Sequence, residues 1–139
     1  MNNETNNKPA SDETIMVTFS YREYRIRVSR GIIRSLGKPP YVRLLINPDK
    51  MVMCIQPCDD NREYGTFKVP KNIFLESTKF RINSAYFVAM LFERMGWDEQ
   101  TSYYVTGKYV AENNVVLLNL LNWEISTAEK TDGEDGQAN

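Results

Sequence analysis

Residues 24–57, YRIRV-SRGIIRSLG-KPP-YVRLLI-NPDK-MVMCIQP, read as a strand, a short helix, a glycine stop and a hairpin. In YRIRV, Tyr24, Ile26 and Val28 alternate with Arg25 and Arg27. That is the period of a strand that buries one face and turns its arginines outward. Ser29 is placed to cap a helix running to Leu36, because a serine hydroxyl accepts a hydrogen bond from a free N–H of the first turn. Gly37 supplies the left-handed residue that ends a helix, and Pro39-Pro40 keeps it from resuming. Residues 41–46 and 51–56 then form strands about Asn47-Pro48-Asp49-Lys50, with Pro and Asp where a type I turn accepts them.

The same order returns over residues 80–120 as FRIN-SAYFVAMLFERMG-WDEQTS-YYVTGKYV-AENN-VVLLNL, again with a Ser before the helix and a Gly after it. One β-α-β-β unit cannot bury both faces of its elements, whereas two packed together can. The expected fold class is therefore α+β: two β-α-β-β units, an internal duplication, in one compact domain. Unit one spans residues 14–65 and unit two residues 66–127. Residues 15–28 read as a strand or a bent pair of strands. Residues 66–69 suggest a short strand, and VPKNIF after it a helical turn. Residues 85–95 are apolar on nearly every side, the pattern of a central core helix. Trp97, just past Gly96, is placed to pack back on the last turn.

Residues 1–13 and 128–139 are polar and acidic, too poor in apolar residues to offset the entropy of ordering them, and are expected to be disordered tails. They hold seven acids against Lys8 and Lys130, so the overall charge of −1 leaves the body at +4. Most of that positive charge falls in unit one; residues 81–127 carry three basic residues against five acids. No apolar run is long enough to span a bilayer, and residues 1–13 lack the charged-then-apolar pattern of an export signal. Cys54 and Cys58 are too few for a disulfide framework. These features lead to the expectation of a cytoplasmic protein that makes no membrane contact.

The chain has no histidine. The commonest general base near neutral pH is thereby missing, along with most catalytic triads and zinc sites. Cys54 reads as a small buried residue, and C-I-Q-P-C has neither redox nor zinc spacing. Asp59-Asp60 and Asp98-Glu99 are adjacent acids in loops, the usual composition of solvated turns. Neither GxGxxG nor GxxxxGK occurs. The expectation is a binding protein that is not an enzyme and needs no cofactor.

The sharpest signal is basic. Arg22, Arg25, Arg27, Arg30, Arg34, Lys38 and Arg43 face a single acid, Glu23, within residues 22–43. Arginine forks grip phosphate bidentately. The start of the helix, near Ser29 and Arg30, adds anion-attracting N–H groups. These seven form the candidate nucleic-acid or anion site. Tyr21, Tyr24, Tyr41, Tyr64, Tyr103, Tyr104 and Tyr109 suit both half-buried strands and a binding surface.

Residues 24–57 resemble the SpoVT/AbrB class of swapped-hairpin DNA-binding domains. That class carries a basic strand, a Ser or Pro followed by a basic residue, an Ile or Leu, an Arg, a closing Leu-Gly, and a strand pair. The matching residues are Val28, Ser29, Arg30, Ile32 or Ile33, Arg34, Leu36 and Gly37, then 41–46 and 51–55. Val69-Pro70-Lys71-Asn72-Ile73 echoes the same strand-to-helix junction. The resemblance implies a dimer of interlaced hairpins presenting Arg25, Arg27, Arg30 and Arg34 to DNA, as in a transcriptional regulator. The residues themselves leave open a partner protein or an anionic small molecule, as for an accessory or anti-defence factor of a mobile element.

Overall fold

The computed structural model describes residues 14–75 and 79–126; the expected acidic tails lie outside them. Period-two alternation governs most of the described chain. The first strands, β1 (Met16–Ser20) and β2 (Arg25–Val28), form a hairpin about the turn at Tyr21 to Tyr24. Next come α1 (Arg30–Ser35), β3 (Tyr41–Asn47), β4 (Val52–Cys58) and the short β5 (Thr66–Lys68). The second half holds β6 (Phe80–Asn83), α2 (Ala85–Met95), β7 (Tyr103–Val110) and β8 (Val115–Asn119). A 3-10 turn at Leu120–Asn122 leads into β9 (Glu124–Ile125).

The strands make one sheet in the order β5-β3-β4-β8-β7-β1-β2-β6, with β9 beside β7, and each pairing is antiparallel. The sheet curls into a nearly closed barrel whose two end strands are β5 and β6. A mixed domain dominated by antiparallel sheet results, with few helices. Alternate residues fill its core: Val17 and Phe19, Ile26 and Val28, Val42 and Leu44, Met53 and Ile55, Phe80 and Ile82, Tyr103 and Val105, Val116 and Leu118.

Two expectations are corrected. Ser29 occupies the position before α1 in an extended conformation, yet its hydroxyl makes no cap. It donates to the Thr14 carbonyl (2.5 Å) and accepts from the Met16 N–H (3.0 Å), tying the start of β1 to the end of β2. A partner from a neighbouring strand has outcompeted the local one. Ser84, by contrast, does cap α2 by accepting from the Phe87 N–H. The second correction concerns α2, which is a surface helix. Only Val88, Leu91 and Phe92 are buried, while Tyr86 is 80% exposed. The strands' own side chains fill the barrel, so one stripe of this helix suffices to cover the adjoining aromatic residues. Phe92 packs there against Tyr21, Trp97 and Tyr103.

Some local features occur in both halves. Both helices end on a left-handed glycine, Gly37 or Gly96. The next N–H, of Lys38 or Trp97, then bonds back to the carbonyl of Ile33 or Phe92. Hairpin β3–β4 turns on Met51 at φ 52°, and hairpin β7–β8 on Asn114 at φ 53°. The spacing from Met51 to Asn114 equals that from Tyr41 to Tyr104 and from Leu44 to Gly107. In matching places Leu44 donates to the Gly65 carbonyl and Gly107 to the Ile15 carbonyl, both at 2.9 Å. Between the halves β2 pairs with β6, β4 with β8 and β7 with β1, while β3 pairs with β5.

A left-handed methionine is costly, whereas asparagine tolerates this conformation. Met51→Gly relieves about 1–2 kcal/mol of this strain but removes a side chain packed against the core, so its net effect should stay within about 1 kcal/mol, and Asn114→Gly should change stability little. Paired urea melts would check both.

Candidate nucleic-acid interface

Register builds the site. Paired residues of an antiparallel sheet point to the same face, so the pairings Glu124–Tyr104, Tyr104–Thr18, Thr18–Arg27 and Arg27–Arg81 define one row across five strands. The row lies on the outer face, since Val17, Phe19, Ile26, Ile82 and Val105 point the other way. The next row runs Ser20–Arg25–Asn83. Strands β2 and β6 thus form an edge ribbon whose outer face carries Arg25, Arg27, Arg81 and Asn83. Lys79 is exposed and immediately precedes β6. Beside the ribbon, β1 contributes the buried Thr18 and the half-buried Ser20, and Arg25 and Arg27 are themselves half-buried.

Local bonds hold the ribbon's rim. Arg25 pairs with Glu23, and the Asn83 side-chain amide donates to the Glu23 carbonyl at 2.9 Å. At the far end of the row Tyr104 donates its hydroxyl to Glu124 (3.1 Å). That carboxylate keeps the Tyr104 phenol protonated to higher pH than usual, so the hydroxyl remains a donor throughout the physiological range.

The remaining sequence-predicted residues divide. Arg30 and Arg34 sit exposed on α1, directly after β2. Arg34 and Lys38 both lie over the Phe74 ring, at 4.3 and 5.0 Å from its centre. Arg22 is exposed in the turn before β2. Arg43 falls elsewhere: it is on β3, bonded to the Tyr64 carbonyl (3.0 Å) and close to Glu63, where it anchors the loop ahead of β5. In the sheet order β4, β8, β7 and β1 stand between it and β2, and β5 and β6 stand between them the other way round the barrel. Arg81 and Asn83 were missed by counting charge per segment. Their signal is the alternation in FRIN, where Arg81 stands between two core residues as Arg27 does in RIRV.

The other acids and the thiols have local surroundings. Asp60 accepts three bonds from Arg62, which lower its carboxyl's proton affinity, and Asp98 caps the turn at Gln100 and Thr101. Burial raises the pKa of both the Cys54 and Cys58 thiols, away from the reactive thiolate. Among the described residues no group of three His, Cys, Asp or Glu is placed to hold a metal ion, and no helix is long and apolar enough to cross a membrane. A shallow groove of about 320 Å³ lies outside hairpin β3–β4, lined by residues that include Leu45, Val52 and Cys54.

No family model, no curated protein and no solved structure matches this chain.

Proposed function

We propose that the protein is a non-enzymatic nucleic-acid-binding protein that lays the β2–β6 ribbon into the major groove of duplex DNA, as a transcriptional regulator would. The observation that carries this reading is the pairing of Arg27 with Arg81. Two arginines paired across an edge ribbon and on one outer face set planar forks side by side, the geometry that grips phosphates or a guanine edge bidentately. The major groove of B-DNA is wide enough for a two-stranded ribbon, and arginine and asparagine are the side chains that read guanine and adenine edges.

The matched turns, helix ends and cross-pairings support a further part of the reading, that the chain is an internal duplication with a local two-fold axis. If Val17 is equated with Phe67 and Ile26 with Phe80, the axis passes between Arg27 and Arg81. Arg25 then has Lys79 as its counterpart. Four cations about a two-fold axis suit the dyad of a DNA duplex, and one chain does what a pair of interlaced chains would do in the swapped-hairpin class.

Fluorescence anisotropy with a labelled duplex tests this. If three or four of Arg25, Arg27, Lys79 and Arg81 neutralise phosphates, affinity should fall roughly 40- to 150-fold between 50 and 200 mM salt. Duplex RNA should bind more weakly, because its major groove is too narrow for side chains. Absence of binding at 50 mM salt would overturn the reading. A protein-docking role, as in an accessory factor of a mobile element, is the second reading. The outward row Leu45–Cys54–Leu117 favours it, and a flat salt response would select it.

A further inference from the structure

Resting on the DNA-binding reading, we infer that Asn83 is a base-reading residue of the ribbon and gives it a one-sided preference for adenine. Asn83 ends β6 and pairs with Arg25, one outward position beyond the Arg27–Arg81 pair. It shares the outer face with Arg81, since Ile82 between them is buried. The strand end is held in place. Ser84, the next residue, donates its N–H to the Tyr24 carbonyl (2.9 Å), and its side chain caps α2. A residue that reads a base needs such support, whereas contacts to phosphate carry no sequence information.

A carboxamide offers one acceptor oxygen and two N–H donors. Asn83 gives one N–H to the Glu23 carbonyl at 2.9 Å, and this bond sets the plane of the amide. The oxygen and the second N–H together match the major-groove edge of adenine, where N6–H donates and N7 accepts. Glu23 also engages the Arg25 guanidinium with its carboxylate, so one residue steadies both members of the Arg25–Asn83 pair. Successive residues on one face of a strand stand about 6.8 Å apart, the rise of two base pairs. The adenine therefore belongs about two base pairs from the pair that faces Arg81. About the proposed two-fold axis, which equates Arg27 with Arg81, the counterpart of Asn83 is Ser29. Its one hydroxyl proton is already donated to the Thr14 carbonyl, so it cannot form a two-bond contact. One end of the site reads a base in this way and the other does not.

The test uses the full chain and a DNA duplex library randomised at its centre, followed by anisotropy on the selected duplex. Wild type should enrich adenine at one position, on one side of the centre. Guanine in its place should weaken binding roughly five- to 150-fold. The 7-deazaadenine duplex, which lacks the N7 acceptor, should bind roughly two- to tenfold more weakly. Asn83→Ala should bind the adenine and guanine duplexes within about twofold of one another, with the salt dependence of wild type, because no phosphate contact is lost. Salt-dependent binding without selection of adenine would overturn the inference and leave DNA binding standing, as would a preference that survives in Asn83→Ala. Adenine enriched at mirror positions would overturn it too, since Ser29 cannot read the second. The 7-deazaadenine duplex needs no variant, so a folding defect in Asn83→Ala does not hide the answer, and unchanged affinity for that duplex would overturn the inference. Failure of wild type to bind any duplex at 50 mM salt would remove the DNA reading and this inference together.

Discussion

Gly107→Ala is expected to destabilise the protein by about 3 kcal/mol, lowering its melting temperature by roughly 15 °C. A methyl group at this position would stand 2.6 Å from the Leu117 carbonyl oxygen and 2.8 Å from Leu118 Cγ. Neither neighbour can give way. Leu117 and Leu118 are paired with Lys108 and Gly107 in the ladder, and Leu118 is fully buried. On its other side Gly107 donates to Ile15. Here β7 passes from pairing with β1, over Tyr103 to Thr106, to pairing with β8, over Gly107 to Val110. Displacing it would disturb both halves of the sheet. Gly37→Ala provides the contrast, since nothing lies within 4 Å of an added Cβ there and only the left-handed conformation (φ 89°) resists it. That change should cost about 1–2 kcal/mol. Thermal melts of the two variants would expose the difference, and equal losses would mean that the close approach at Gly107 relaxes freely.

The local part of the fold was legible in the residues. Alternation marked β2, β6 and both hairpins, the glycines marked the helix ends, and Arg25 and Arg27 were already on an outward face. Pairing between distant segments was not legible. Nothing in RIRV names FRIN as its neighbour, so Arg81 could be seen as outward-facing but not as the partner of Arg27. The same gap explains Ser29. Its sequence context is that of a cap, and only the return of β1 beside β2 supplies the Thr14 and Met16 groups that claim its hydroxyl. Helix α2 failed for another reason. Apolar composition measures what a helix tolerates burying, whereas the space left by the strands decides how much of it is buried. Arg43 shows that charge density along a sequence is not charge density in space, because its guanidinium is engaged by Tyr64 and Glu63 on a strand that is not paired with β2.

Arg81→Glu should separate the proposed binding role of the ribbon from its structural role. The substitution sets a carboxylate opposite Arg27 in the register that now holds two guanidinium groups. Opposite charges at paired positions stabilise a sheet by about 0.2–1 kcal/mol. The variant should therefore fold as well as wild type, or slightly better. DNA binding should move the other way. Arg81 no longer meets phosphate, the new carboxylate repels it, and Arg27 is drawn into the cross-strand pair. Losing two or three phosphate contacts near 0.1 M salt corresponds to roughly 50-fold or more in affinity. Adding Arg27→Glu makes the pair like-charged again, so the double variant should lose the stability gain while binding DNA no better. Lys108→Glu makes the same change in net charge at an exposed site in the row with Leu117, away from the ribbon. It should alter affinity less than threefold. A stable Arg81→Glu protein that binds DNA as wild type does would show that the ribbon is not the contact surface. A loss equal to that of Lys108→Glu would reduce the interaction to overall charge, leaving the Arg27–Arg81 pair no part in recognition.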